Sequence, residues 1–222
     1  NNPTGKVFSR SELELIAALC RQWECYAVTD EVYEHLLYDG AQHVSLATLA
    51  GMEPRTVTIN SISKSYSVTG WRVGWAIAGR PITERVRKVH DFLTVGAPTP
   101  FQHAAAVALE FPEAYYTDLQ AKYAEARRFL LDVLARAGFA ASPPAGAYYV
   151  LAGADRIMGR LGVPDDVAFA RKLIDLTGVA TVPGSSFYSG GDKGRTQVRF
   201  CFCKTWGTLH AVERALSRLW AE

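Results

Sequence analysis

An α/β domain followed by a smaller α+β unit is what the sequence predicts, and three observations carry that prediction. Over residues 10–78, segments with helical apolar spacing alternate with short continuous apolar runs, the rhythm of a domain built on a mainly parallel sheet. Beyond a proline-rich loop at 141–146 the character changes. The strand-like runs become few and partly antiparallel, with helices between them. Finally, 222 residues at 49% hydrophobic and 21% charged are globular in balance and long enough for one large domain or two modest ones.

The elements follow in order. Ser9-Arg10-Ser11-Glu12 has the capping-box pattern, and Leu13, Ile16, Ala17, Leu19 and Cys20 recur behind it at helical spacing, which predicts a helix over 10–22. The run 25–29 ends at Asp30, and its continuity suits a buried parallel strand. A second such run, 56–59, ends at Asn60-Ser61. A third, 71–78, is punctuated by glycines. Residues from Pro81 carry Val86, Val89, Phe92 and Leu93 on one helical face until Pro98 and Pro100 break the pattern. An Ala-rich helix over 101–110 and a long helix from Pro112 to Ala137 come next, the latter stopped by Gly138. In the tail we expect strands over 147–151, 178–182 and 196–203, and helices over 165–176 and 206–220. The domain boundary falls inside the long helix, dividing the chain into 1–112 and 113–222.

Lys plus Arg is 24 and Asp plus Glu is 22, a formal net charge of +2. That balance gives no reason to expect nucleic acid or an anionic membrane as a partner. No apolar run is long enough to span a bilayer. Four cysteines in this length are too sparse for a disulfide scaffold, and the spacings Cys20-x4-Cys25 and Cys201-x-Cys203 do not suit zinc. No metal site is expected, and free thiols in a reducing, cytoplasmic compartment are. The chain opens on Asn1 without an initiator Met, which suggests a piece of a longer protein or a processed one.

Candidate chemistry clusters at strand ends, where open α/β sheets bind ligands. Asp30 closes one apolar run, and Ser61, Ser63 and Lys64 follow another. A lysine beside buried strands loses its proton readily, which suits Schiff-base chemistry. Arg72 offers a permanent planar charge for a phosphate. An aldehyde cofactor with a phosphate tail needs this collection. Taken singly, each residue has a plainer reading: Lys64 a solvated charge, Arg72 a surface group, Asp30 the N-cap of a following helix. In 198–202, alternation sends Val198, Phe200 and Phe202 to one face and Arg199 to the other, where it needs an anion, either a ligand or a structural Asp or Glu.

Taken together, Asn2-Pro3-Thr4-Gly5, Asp30-Glu31-Val32-Tyr33, Ser61-Ile62-Ser63-Lys64 and Gly70-Trp71-Arg72-Val73-Gly74 resemble the successive signatures of class I and II aminotransferases. Val198-Arg199-Phe200-Cys201-Phe202 resembles their substrate-carboxylate strand. Ser61–Gly74 and Gly96-Ala97-Pro98-Thr99-Pro100 look most like the kynurenine and methionine aminotransferase branch. The resemblance implies the aspartate aminotransferase fold. Residues 1–112 are then the C-terminal part of a large pyridoxal 5'-phosphate domain, and 113–222 a linking helix and small domain. It implies that Lys64 forms the Schiff base and moves the Cα proton, and that Asp30 holds the pyridine nitrogen protonated. Tyr33 and Asn2 would donate to the phenolic oxygen. Ser61 and Arg72 would bind the phosphate, Arg199 would clamp the substrate carboxylate, and Asn2 would also bind substrate.

The implied reaction is transamination between an amino acid, aromatic or methionine-like, and a 2-oxo acid, by a homodimer. Complete relatives carry a long stretch ahead of Asn-Pro-Thr-Gly, with a phosphate loop and a ring-stacking aromatic. Without it the large domain is incomplete and this chain alone is expected to be inactive. Two other readings share the residues: a carbon–sulfur β-lyase, and a non-catalytic aminotransferase-like sensing domain.

Overall fold

The computed structural model describes residues 1–220. The chain forms two compact units, one of residues 7–119 and one of residues 1–6 together with 120 onward.

The 7–119 unit opens with helix α1 (Arg10–Gln22). Both arms of the capping box are made: Glu12 N donates to Ser9 Oγ at 3.3 Å and Ser9 N to Glu12 Oε2 at 2.8 Å. Leu13 and Ala17 of α1 pack with Leu46, Leu49 and Met52, and Cys20 and Ala27 close over this cluster. The sheet has the order β1-β2-β3, with β1 (Ala27–Asp30), β2 (Thr56–Ser61) and β3 (Gly74–Ile77). β1 runs parallel to β2, in a register that sets Asp30 opposite Ile59. β3 is antiparallel to β2, so the third apolar run is not a further parallel strand. It also starts late, because a 3-10 turn (Thr69–Trp71) and Arg72 at φ 55° reverse the chain first. Gly74 is required where it stands: a Cβ there would lie 2.7 Å from Asn60 O.

β1 departs from the doubly buried strand the sequence predicts. Tyr26 and Val28 are 66% and 68% exposed, since no described element covers their side of the sheet. Helices α2 (Arg80–Leu93) and α3 (Thr99–Leu109) follow, then the first turns of α4 (Glu113–Arg136). Pro100 opens α3 rather than ending what precedes it, because proline is tolerated in a helix's first turn.

The other unit holds a four-stranded antiparallel sheet in the order β4-β5-β7-β6. Its strands are β4 (Ala140–Ala141), β5 (Tyr149–Gly153), β6 (Val182–Pro183) and β7 (Gln197–Cys201), and its helices α5 (Asp155–Leu161), α6 (Asp166–Thr177) and α7 (Trp206–Leu216). A 3-10 turn (Ser217–Trp220) replaces the end of the predicted 206–220 helix. Val150, Ala152, Val198 and Phe200 form the buried face, against Phe139 and Phe169.

The compact units part at residues 119 and 120, later than the boundary placed at 112–113, and residues 1–6 join the second unit. The reason is a tight backbone approach. Gly146 N donates to Gly5 O at 2.8 Å, and Gly5 sits at φ 67° with no room for a side chain against Pro144.

Candidate active site

In the 7–119 unit the chemistry gathers at one rim of the sheet. β1 and β2 are parallel and end at Asp30 and Ser61, so both carboxyl ends emerge together. Strand alternation puts Asp30, Ile59 and Ser61 on the same face. β3 enters from that rim, with Gly74 opposite Ser61, so Arg72 lies there too.

No helix follows Asp30. Its Oδ1 accepts from Val32 N at 3.2 Å in a turn, which removes the helix-cap reading. Tyr33 is half-buried in that turn, three residues on, and its carbonyl accepts from Leu36 N at 2.9 Å. Beside Asp30, Glu31 is 7% exposed and anchors the turn. It accepts from Thr29 Oγ1 at 2.8 Å and Ser45 Oγ at 3.0 Å, and contacts His43 Nε2 at 2.8 Å. Burial pushes its carboxyl up, but the hydrogen bonds from His43, Thr29 and Ser45 outweigh burial and hold it below the ordinary value.

Lys64 occupies the turn after β2. Ser63 and Ser65 on either side are buried, as is Ile62, while Lys64 itself is half-exposed. Its backbone is held from both directions: Thr69 Oγ1 donates to Ser63 O at 3.0 Å and Tyr115 Oη to Ser65 O at 2.8 Å. No hydrogen bond or ion pair engages the Lys64 amine among the described residues. Ser61 Oγ accepts from Ser63 N at 3.3 Å, and Arg72 is exposed, with one guanidinium nitrogen donating to Thr69 O at 2.9 Å.

Several residues here were not singled out in the sequence. Asn60 is buried, accepts from Ser61 N at 2.7 Å and donates to Glu34, fixing the end of β2. Tyr66 Oη lies 2.6 Å from Tyr116 Oη, and its ring stacks on Tyr115. Burial, then the bond to Tyr116, raises the Tyr66 hydroxyl well above its ordinary range, so it stays protonated. The Tyr115-Tyr116 pair at the start of α4 was the available signal, since two adjacent tyrosines point to two neighbouring partners.

In the other unit the structure brings Arg199 and Asn2 together. A terminal nitrogen of Arg199 donates to Asn2 Oδ1 at 2.5 Å. The guanidinium lies over the Tyr149 ring at 4.2 Å and near the Phe187 ring at 5.0 Å. Its Nε is buried without a hydrogen-bond partner, and no carboxylate pairs with it among the described residues. Phe187 is placed by the 3-10 turn Gly184–Phe187, whose Ser185 N donates to the buried Asp166 Oδ2 at 2.7 Å. Val198 and Phe200 take the opposite, buried face of β7, as alternation predicts.

The family model for aminotransferase class I and II matches residues 1–219, and the chain belongs to that family. Among curated relatives, kynurenine–oxoglutarate transaminase 1 of Mus musculus is 38% identical over 232 aligned residues, covering 97% of this chain and 55% of the relative. The solved N-succinyldiaminopimelate aminotransferase of Mycobacterium tuberculosis superposes with a TM-score of 0.92 at 37% identity, over 99% of this chain and 56% of that one. An Escherichia coli protein identified as having a methionine aminotransferase function gives a TM-score of 0.89 at 30% identity, over 98% and 56%. The chain therefore has the α/β aspartate aminotransferase fold in part, and spans about half the length of the curated relatives it matches. Among the described residues no helix is long and apolar enough to cross a membrane.

Proposed function

We propose that the protein transfers an amino group between an amino acid, aromatic or methionine-like, and a 2-oxo acid, using pyridoxal 5'-phosphate. The observation that carries this reading is the half-exposed Lys64 amine, without a partner, on a backbone held at both neighbouring carbonyls, at the rim where Asp30, Ser61 and Arg72 also emerge. An amine, a carboxylate, a hydroxyl and a guanidinium are the groups that an aldehyde, a pyridine nitrogen and a phosphate ester require. The donor set therefore fits the cofactor.

When bound, the cofactor supplies an electron sink for the charge that develops at the substrate Cα. Lys64 would hold the cofactor through its aldehyde, and its amine would be the base that moves the proton off the substrate Cα. Asp30 keeps a proton on the pyridine nitrogen by opposing its charge. Tyr33 donates to the phenolic oxygen, and Asn2 is assigned there as well as to Arg199. Ser61 and Arg72 take the phosphate. Arg199 fixes the substrate carboxylate with its planar fork, placed over the Tyr149 ring.

Borohydride reduction of the holoprotein followed by peptide mapping tests the reading. We expect a pyridoxyl adduct on Lys64, and release of a 2-oxo acid from kynurenine or methionine in the presence of a 2-oxo acid acceptor. An adduct on another lysine overturns the assignment of Lys64. Release of pyruvate and a thiol from a cysteine conjugate without an oxo acid acceptor points to the β-lyase instead.

A further inference from the structure

On the reading that Arg199 takes the substrate carboxylate, we propose that Tyr149 and Phe187 are its positioning residues. Their rings compensate the guanidinium charge in place of an Asp or Glu, and so leave N–H donors for the substrate. β7 lies between β5 and β6, and each side supplies one ring. Arg199 pairs with Leu151 of β5, so Tyr149, two residues before Leu151, is its diagonal neighbour on the same face. On the other side Arg199 pairs with Val182 of β6, and the 3-10 turn that follows carries Phe187. The guanidinium carbon stands 4.2 Å from the centre of the Tyr149 ring and 5.0 Å from that of Phe187. Both lie inside the roughly 6 Å over which a ring face attracts a cation.

Both rings are themselves fixed. Tyr149 is buried, with the Tyr148 ring 4.7 Å away. The turn that carries Phe187 is held at two points. Ser185 N donates to Oδ2 of the buried Asp166 at 2.7 Å, which gives that carboxylate a task outside the site. Gly184 presses so closely on the start of β7 that a Cβ there would lie 2.7 Å from Gln197 O.

The usual way to hold a half-buried arginine is an ion pair. A protein carboxylate would take the same planar fork that a substrate carboxylate needs, so the two would compete. A ring draws the cation through its quadrupole and offers no lone-pair oxygen to the fork. Among the described residues Arg199 has one hydrogen-bond acceptor, Asn2 Oδ1 at 2.5 Å, and its buried Nε has none. The two rings therefore orient the guanidinium while its charge and its remaining donors stay available to an incoming carboxylate.

The test measures calorimetric binding of two probes to the holoprotein: 3-phenylpropionate, which carries a carboxylate, and its uncharged amide. We expect Tyr149→Leu and Phe187→Leu each to weaken the carboxylate by about fivefold or more and to leave the amide within about twofold. Tyr149→Phe and Phe187→Tyr, which keep a ring, should bind both probes within about twofold of the parent. Arg199→Gln should lose the carboxylate preference, and adding Tyr149→Leu to it should cost nothing further. If Arg199→Gln binds phenylpropionate as the parent does, the assignment of Arg199 and the role of the rings both fail. If Arg199→Gln loses phenylpropionate while both leucine variants keep it, the role of the rings alone fails. Equal losses of carboxylate and amide in the leucine variants also overturn it, since a merely structural ring would weaken both.

Discussion

Glu31 ties two stretches of chain together through one carboxylate, and its charge makes that tie pH-dependent. Its carboxyl is held below the ordinary value of 4.5 in the folded chain. A depressed folded value means stability that is fully present above the unfolded value and lost as pH falls through the folded one. We therefore expect the urea midpoint to hold down to about pH 4.5 and then drop, and Glu31→Gln to flatten that drop while lowering stability at pH 7 by about 1–3 kcal/mol. An unchanged acid limb in the variant would show that other carboxylates dominate.

Legibility at this scale follows sequence distance. Asp30, Lys64 and Arg199 stand out because each is a charged group against an apolar run. Thr69 and Tyr115 act by donating to the backbone carbonyls beside Lys64, the second from 50 positions away, and a hydroxyl leaves no periodic trace in sequence.

The strongest periodic elements are read well from sequence and the shortest are not. α1 matches its predicted bounds because a capping box and an apolar stripe mark both its start and its face. α5 is seven residues with no side-chain cap, too short to show a period, and β4 and β6 are two residues each. The direction of β3 was also hidden, since an apolar run reads alike whether parallel or antiparallel. Its pairing depends instead on Gly74, where the strands approach too closely for any side chain. We expect Gly74→Ala to lower stability by about 1–3 kcal/mol, measured by chemical denaturation. Gly70→Ala, where nothing lies within 4 Å, should be close to neutral. Equal effects from both would place the cause in glycine's backbone freedom and not in the contact with Asn60.

At the scale of the molecule, the apolar surface is uneven. α2 has no buried residue, and Val89, Phe92 and Leu93 are 58%, 93% and 78% exposed. Contiguous apolar surface of this kind takes up dyes and partners. We expect the 222-residue chain to bind an apolar fluorophore, and Val89→Lys with Phe92→Lys to cut that signal by about twofold. Thermal stability should move little, because neither side chain packs into a core. Dye binding that survives the pair of substitutions would place the adhesive surface elsewhere, for example along Tyr26 and Val28.

The union of residues 1–6 with the distal half of the chain also sets an order of assembly. Asn2 and Arg199 are 197 positions apart, so their bond cannot close before Arg199 has left the ribosome. Residues 7–119 are complete earlier, and at about 5–20 residues per second the stretch from 119 to 199 takes roughly 4–16 s more to be made. The lysine rim therefore has seconds to organise on the nascent chain, while residues 1–6 wait for an arginine not yet synthesised.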